Sequence, residues 1–286
     1  MFPLKPPERV FRNFAMLIFF ALSACARTVN PSEQVTSLTQ PSQGEILVAA
    51  AADLQFAFTD IALLYEAETG QRVRLVFGST GQLTQQIENG APYDLIAAAN
   101  QEYVDRLVRQ CLVLPNTVSL YARGRIVLAS NRQSDLHLTS LKELLEPSIR
   151  HIAIANPEHA PYGLAAKQAL QSAGLWDQLQ SKLVFGENVR QALQYLQSGD
   201  AQAGIIALSV AYVPEISWVL IDESLHVPLD QSLAVLASAH EPELAAQFAA
   251  FINGSTGRPV MHQYGFLLPG DPLVQAGSTS PPFEQP

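Results

Sequence analysis

Cysteine is scarce in this chain of 286 residues, present only as Cys25 and Cys111, so a disulfide scaffold is excluded as the basis of the fold. Basic residues are also few. The chain carries 17 Lys and Arg against 26 Asp and Glu, and the resulting net charge of −9 argues against nucleic acid as a partner. No internal apolar run reaches the roughly 20 residues that a membrane-crossing helix needs. The six histidines, His137, His151, His159, His226, His240 and His262, show no metal-ligand spacing, and His159 beside Glu158 reads as a surface turn residue. Tyr162, Tyr195 and Tyr212 do not form a recognisable ferric pair. Catalytic signatures are missing as well: there is no Gly-x-Ser-x-Gly elbow, no paired cysteine and no glycine-rich loop ending in Lys-Ser or Lys-Thr. Ser79 and Thr80 have no base near them in sequence, so the chain reads as a non-enzyme. A histidine within hydrogen-bond reach of Ser79, itself held by a carboxylate, would reopen catalysis.

The N-terminal segment has a composition of its own. Lys5, Arg9 and Arg12 precede the apolar run Phe14 to Leu22, which Leu22-Ser23-Ala24-Cys25 closes, and the run is too short to span a bilayer. The order resembles bacterial lipoprotein signal sequences. That resemblance implies removal of residues 1–24, lipidation of Cys25 and export to the periplasmic face of the membrane. Cleavage would take away three basic groups and one acidic group and leave a charge of −11. Cys111 would then have no disulfide partner, and in the apolar run Cys111-Leu112-Val113-Leu114 it is expected to be a buried core residue. Residues 25–44, rich in Thr, Ser, Pro, Gln and Asn, read as a flexible tether, and 271–286 as a disordered tail.

Between these ends, apolar strand-like runs alternate with amphipathic helical segments, the pattern of parallel sheets covered by helices. Strands are predicted at Ile46–Ala50, Arg72–Phe77, Asp94–Ala98, Arg125–Ala129, His151–Ala155, Gly204–Ala207 and Trp218–Ile221. The clearest helices are Leu54–Glu68, Gly81–Asn89, Gln101–Gln110, Leu141–Leu145, Gly163–Ala173, Val189–Ser198 and Pro242–Asn253. No internal repeat of fixed period is visible. Trp176 and Trp218 read as packing residues.

The most informative stretch runs from Asn156 to Leu170. A buried strand ends there, Pro161 supplies the fixed φ of a first helical position, and a helix follows. The unpaired amides and dipole of such a helix start suit an anion. Three further segments share this form: Ala51-Ala52-Asp53-Leu54, Gly78-Ser79-Thr80-Gly81 and Glu187-Asn188-Val189. One such turn is common in any α/β protein, whereas four make a case for backbone donors converging on a ligand.

With their context, these segments are similar to the periplasmic molybdate-binding protein family, the receptors of ATP-driven molybdate importers, over nearly all of Glu45 to Leu268. The specific matches are Asn156 to Leu170, Ile87-Glu88-Asn89-Gly90-Ala91-Pro92-Tyr93-Asp94-Leu95, Glu187 to Leu193, and Gln263-Tyr264-Gly265-Phe266. The resemblance implies a two-lobed α/β fold of the periplasmic-binding-protein type II, each lobe a mostly parallel sheet flanked by helices. Residues 45–122 and 231–270 would form one lobe and 123–230 the other, with hinges near Tyr121–Arg125 and Val227–Leu233.

The implied ligand is molybdate, and tungstate with it, held by Ala52, Asp53, Ser79 and Thr80 and by the backbone amides of Tyr162 and Val189. No cofactor and no bare metal cation is implied. The implied partner of the monomeric receptor is an ABC permease of the inner membrane. Phosphate or sulfate as the anion, or a membrane-tethered oxyanion sensor, are the alternatives. Two positions depart from the family. Asp53 stands where a neutral polar group is usual; the preferred reading makes it the N-cap of the helix Leu54–Glu68, turned from the ligand, and the other makes it accept a proton from a protonated oxyanion. Ala207 stands where some members present a tyrosine, and Arg190 reads as a solvated helix residue.

Overall fold

The computed structural model describes residues 44–134 and 136–271. The expected signal, Cys25, all but the last residue of the tether and all but the first residue of the tail lie outside the described residues.

In chain order the elements are β1 (Glu45–Ala51), α1 (Gln55–Thr69), β2 (Arg72–Gly78), α2 (Thr80–Glu88), β3 (Leu95–Ala98), α3 (Gln101–Arg109), β4 (Ser119–Gly124) and β5 (Ile126–Asn131). The chain continues through β6 (Ile152–Ala155), α4 (Pro161–Ser172), α5 (Trp176–Leu179), β7 (Leu183–Gly186), α6 (Val189–Ser198), β8 (Ala203–Ala207), β9 (Ile216–Leu220), β10 (Leu229–Val235), α7 (Pro242–Ile252) and α8 (Gly257–Gln263). They build two five-stranded sheets, ordered β2-β1-β3-β10-β4 and β7-β6-β8-β5-β9.

Neither sheet is mostly parallel. In the first, β1 pairs in parallel with β2 and β3, while β10 runs antiparallel to both β3 and β4. In the second, β6 is parallel to β7 and β8, while β5 is antiparallel to β8 and β9. The departure has one cause in each case: a strand that connects the lobes (β5 going out, β10 coming back) inserts against the direction of the βα units. The two sheets therefore share one strand pattern, although the sequence shows no repeat.

Burial on both faces explains why the inner strands read as unbroken apolar runs. In β1, Ile46, Val48 and Ala50 join the cluster containing Phe58, Ile61 and Tyr65 of α1, while Leu47 and Ala49 face Leu83, Ile87, Val104 and Leu107 of α2 and α3. The same period of two divides Leu95 and Ala97 from Ile96 and Ala98 in β3. Asp94, fully buried, ties this layer together. Its carboxylate accepts from the amides of Leu47 (2.7 Å), His240 (2.7 Å) and Glu241 (3.2 Å), so the acid in the Ala91-Pro92-Tyr93-Asp94 segment is a structural clamp.

The predicted hinge segments fall largely on β4 and β10, which pair side by side in the first sheet; the chain leaves for the second sheet through Arg125 and returns through residues 221–228, which include a 3-10 turn at Glu223–Leu225. The β4–β10 register slips at Gln231: Gln231 faces Ala122 and Ser232 faces Leu120, leaving Tyr121 as the extra residue of a β-bulge. Leu141–Leu145 is a 3-10 segment opened by a Ser140–Glu143 capping box rather than an α-helix. Cys111 is exposed, not buried. It takes the left-handed conformation (φ 59°) just past α3, and the Cys111 and Leu112 amides donate to the Val108 and Leu107 carbonyls there, so the apolar run begins at a helix stop. Trp176 and Trp218 do pack against the core.

Candidate functional site

Each of the four strand-to-helix turns ends at the same cleft. Its lining includes Ala51, Ala52 and Asp53 after β1, Gly78, Ser79 and Thr80 after β2, Ala160, Pro161 and Tyr162 after β6, and Asn188 and Val189 after β7. All six residues singled out from sequence for ligand contact, Ala52, Asp53, Ser79, Thr80, Tyr162 and Val189, are buried there. Three of the turns open helices α2, α4 and α6, whose first amides have no acceptor inside their own helix. Ser79 and Asn188 cap α2 and α6 by accepting from Gln82 N and from Arg190 and Gln191 N. In α4 the first position is Pro161, without an N–H, and no side chain caps the helix, which leaves the Tyr162 and Gly163 amides at the turn. Among the described residues neither lysine nor arginine lines the cleft.

Asp53 does not cap α1. It sits in a 3-10 turn, Ala52–Leu54, and α1 begins afterwards with Leu54 at the cap position and no side-chain cap bond. Its carboxylate instead reaches across the lobes. Oδ2 accepts from the Tyr162 hydroxyl (2.9 Å) and from Gln231 Nε2 (2.8 Å); Gln231 Nε2 also donates to the Tyr162 oxygen (3.0 Å), and Gln231 Oε1 accepts from the Tyr121 hydroxyl (2.8 Å). Ser209, two residues past Ala207, donates to the Asp53 backbone carbonyl (2.8 Å). Asp53 Oδ1 is buried and has no hydrogen-bond partner among the described residues. Burial pushes the Asp53 carboxyl up to about 6, against the lowering effect of its bonds to Gln231 and Tyr162. The Tyr162 and Tyr121 phenols rise well above their usual range, first by burial and then through the Asp53 charge.

The opposite rim closes on His159. Its Nδ1 shares a hydrogen bond with Ser79 Oγ (2.8 Å), and its carbonyl accepts from Gly81 N (2.9 Å), so His159 is a contact across the cleft and not a surface turn residue. A β-carbon at Gly81 would lie 2.6 Å from that carbonyl, which only glycine permits. Arg190 is likewise not a freely solvated residue, since its guanidinium lies 5.8 Å over the Phe56 ring of α1.

Ser79 thus does meet a histidine. The third member of a relay is not in place: His159 Nε2 stands 3.9 Å from Glu187 Oε2, beyond hydrogen-bond range. That carboxylate is 65 % exposed and already accepts from Gln82 Nε2 at 2.6 Å. Among the described residues no group of three or more His, Cys, Asp or Glu could hold a metal ion.

The pattern of the family described as bacterial extracellular solute-binding protein matches residues 46–267. The chain belongs to that family. It is 32 % identical over 229 residues to the molybdate-binding protein ModA of Azotobacter vinelandii, covering 78 % of this chain and 90 % of that one. The solved Azotobacter vinelandii periplasmic molybdate-binding protein superposes with a TM-score of 0.73 at 31 % identity over 78 % of this chain and 99 % of the other. The putative ABC transporter substrate-binding lipoprotein YvgL of Bacillus subtilis is 28 % identical over 262 residues, covering 90 % and 99 %. The two-lobed solute-binding fold is therefore the fold of this protein.

Sequence reasoning missed Gln231 and His159 as parts of the site. A glutamine just before the apolar run Leu233–Ala237 was the available signal for the first, since a buried amide needs partners.

Proposed function

We propose that this protein is an extracytoplasmic receptor that captures molybdate, and tungstate with it, in the interlobe cleft and passes it to an ABC permease of the inner membrane. The observation that carries the reading is the convergence of three helix starts and two hydroxyls on a cleft whose described lining holds no lysine or arginine. Such a site binds a dianion through dipoles: hydrogen bonds to a charged acceptor are stronger than neutral ones, and closing the lobes removes competing water. The likeness to molybdate-binding proteins names the anion. No cofactor enters the proposal, since the metal arrives and leaves as its oxyanion, with oxygens rather than metal facing the protein.

The Ser79–His159 contact acts here as a closure contact rather than a relay. It spans the lobes, and Ser79 Oγ already serves as the cap of α2. Closed and open forms then interconvert about β4 and β10, with the ligand favouring the closed form through contacts to both sides.

Calorimetric titration of the mature domain tests the anion. Molybdate and tungstate are expected to bind, with sulfate and phosphate weaker, because the metal–oxygen bonds are longer and the cleft must match the larger tetrahedron. Tightest binding of phosphate or sulfate would overturn the choice, and Ser79-dependent hydrolysis of p-nitrophenyl esters would overturn the non-catalytic reading. The proposal also places the monomeric receptor on the periplasmic face of the membrane through a lipid on Cys25, in line with the description of the Bacillus relative as a lipoprotein. Cells grown with labelled palmitate should label the wild-type protein and not Cys25→Ala; equal labelling of both would remove the anchor.

A further inference from the structure

Asp53 is the one ionisable carboxyl among the described residues that line the cleft, and it is a poor neighbour for a dianion if ionised. Its environment separates its two oxygens. Oδ2 is held as an acceptor by two donors, Tyr162 and Gln231, and Gln231 is itself held by Tyr121, so the donors of this network are directed to Oδ2 and not to Oδ1. Oδ1 is buried without a partner among the described residues, and it is the oxygen on which a proton would have somewhere to go.

Resting on the reading of the cleft as an oxyanion site, we propose that Asp53 makes anion capture proton-coupled: one proton is taken up with the anion, resides on Asp53 Oδ1, and is donated in a hydrogen bond to an oxygen of the ligand. The proton comes from solvent and returns to it on release, and no covalent bond to the anion forms or breaks. The bonds at Oδ2 survive in either state, because Tyr162 and Gln231 remain donors to it. The carboxyl thereby becomes a neutral donor, in keeping with the other groups of the site, and the departure from the usual residue becomes a sensitivity to pH.

The groups that face Asp53 leave it as the titrating member. Tyr162 from α4 and Tyr121 from β4 hold their protons through the physiological range, and Gln231 from β10 does not titrate. The raised Asp53 carboxyl, at about 6, loses its proton within that range. At the other rim lie His159, Glu187 and Arg190, of which His159 requires a control because histidine is the side chain that ordinarily changes charge near neutral pH.

The test is the Kd for molybdate between pH 6 and 9, with the proton count taken from calorimetry in buffers of different ionisation enthalpy. In the wild type Kd should rise about tenfold per pH unit above pH 7, with uptake of about one proton per anion at pH 8. Asp53→Asn keeps the shape, the acceptor for Tyr162 and Gln231 and a donor at the Oδ1 position, and its Kd should be flat across the range. Tyr162→Phe removes one donor from Oδ2 and should move the onset of the rise to higher pH, a shift that loss of packing would not produce. His159→Gln should keep the slope. A flat wild-type Kd without proton uptake, or an equal slope in Asp53→Asn, would overturn the coupling while leaving the oxyanion site intact. Absence of binding by any of the four oxyanions at any pH would instead remove the site reading and the coupling with it.

Discussion

Gly163→Ala is expected to destabilise the protein by about 3 kcal/mol, the upper part of the range for overpacking a rigid site, and to abolish anion capture. Helix propensity alone argues the reverse, since alanine is better than glycine inside a helix by about 1 kcal/mol. Sterics decide. A β-carbon at Gly163 would stand 2.2 Å from the Ala155 carbonyl oxygen and 2.7 Å from its carbon, and these are backbone atoms at the end of β6 that cannot rotate away. The start of α4 would have to move off the sheet, carrying the Tyr162 amide from the cleft and the Tyr162 hydroxyl from Asp53. Thermal unfolding should show Tm lowered by roughly 6–12 °C at this chain size, and molybdate titration should show no heat. Leu164→Ala, one position on and 40 % exposed, is the control and should change stability by less than about 1 kcal/mol. A Gly163→Ala protein as stable as the wild type and still binding would show that α4 does not need this close approach.

The strand-to-helix turns were legible because their signal is local. A small or hydroxyl residue after an apolar run and before a helical period describes a few consecutive positions, and the ends of parallel strands place such turns on one edge of a sheet. The inner strands were legible for the same reason: burial on both faces leaves an unbroken apolar run, as in Glu45–Ala51 and Ala203–Ala207. The elements that escaped prediction have weaker patterns. β7 is half-exposed and pairs on one side only; β4 is an edge strand with polar and bulged positions; β10 carries Asp230, Gln231 and Ser232 in its middle.

The error at Asp53 has a different origin. An aspartate just before a helical run is a good cap on local grounds, and nothing within ten residues contradicts it. Its actual partners lie 109 and 178 residues away, at Tyr162 and Gln231. Those two donors hold the carboxylate away from the helix amides, and the helix starts at Gln55 without a side-chain cap. His159 was misread in the same way, because its partner Ser79 is 80 residues distant and meets it only across the cleft.

The same network predicts an unusual pH dependence of stability. The Asp53 carboxyl is raised from 3.8 to about 6, so the folded chain holds this proton more tightly than the unfolded one. Its contribution is therefore fully present below pH 3.8 and is lost as pH rises through about 6. The loss amounts to about 3 kcal/mol at most, since each tenfold change in proton affinity is worth about 1.4 kcal/mol. Asp53→Asn cannot ionise, so it should match the wild type near pH 4 and exceed it by up to about 3 kcal/mol at pH 8 in urea unfolding. A less stable Asp53→Asn at pH 8 would mean that the two hydrogen bonds to a full charge outweigh its burial. Magnitudes also explain why a site would keep a destabilising acid. An ionised carboxylate roughly 4 Å from a dianion costs about 8 kcal/mol at an effective dielectric of 20, whereas protonating a group that titrates near 6 costs only about 2 kcal/mol at pH 7.5. Protonation is thus the lower-energy route to a bound anion, and the substitution that stabilises the empty protein is the one expected to remove the pH dependence of its capture.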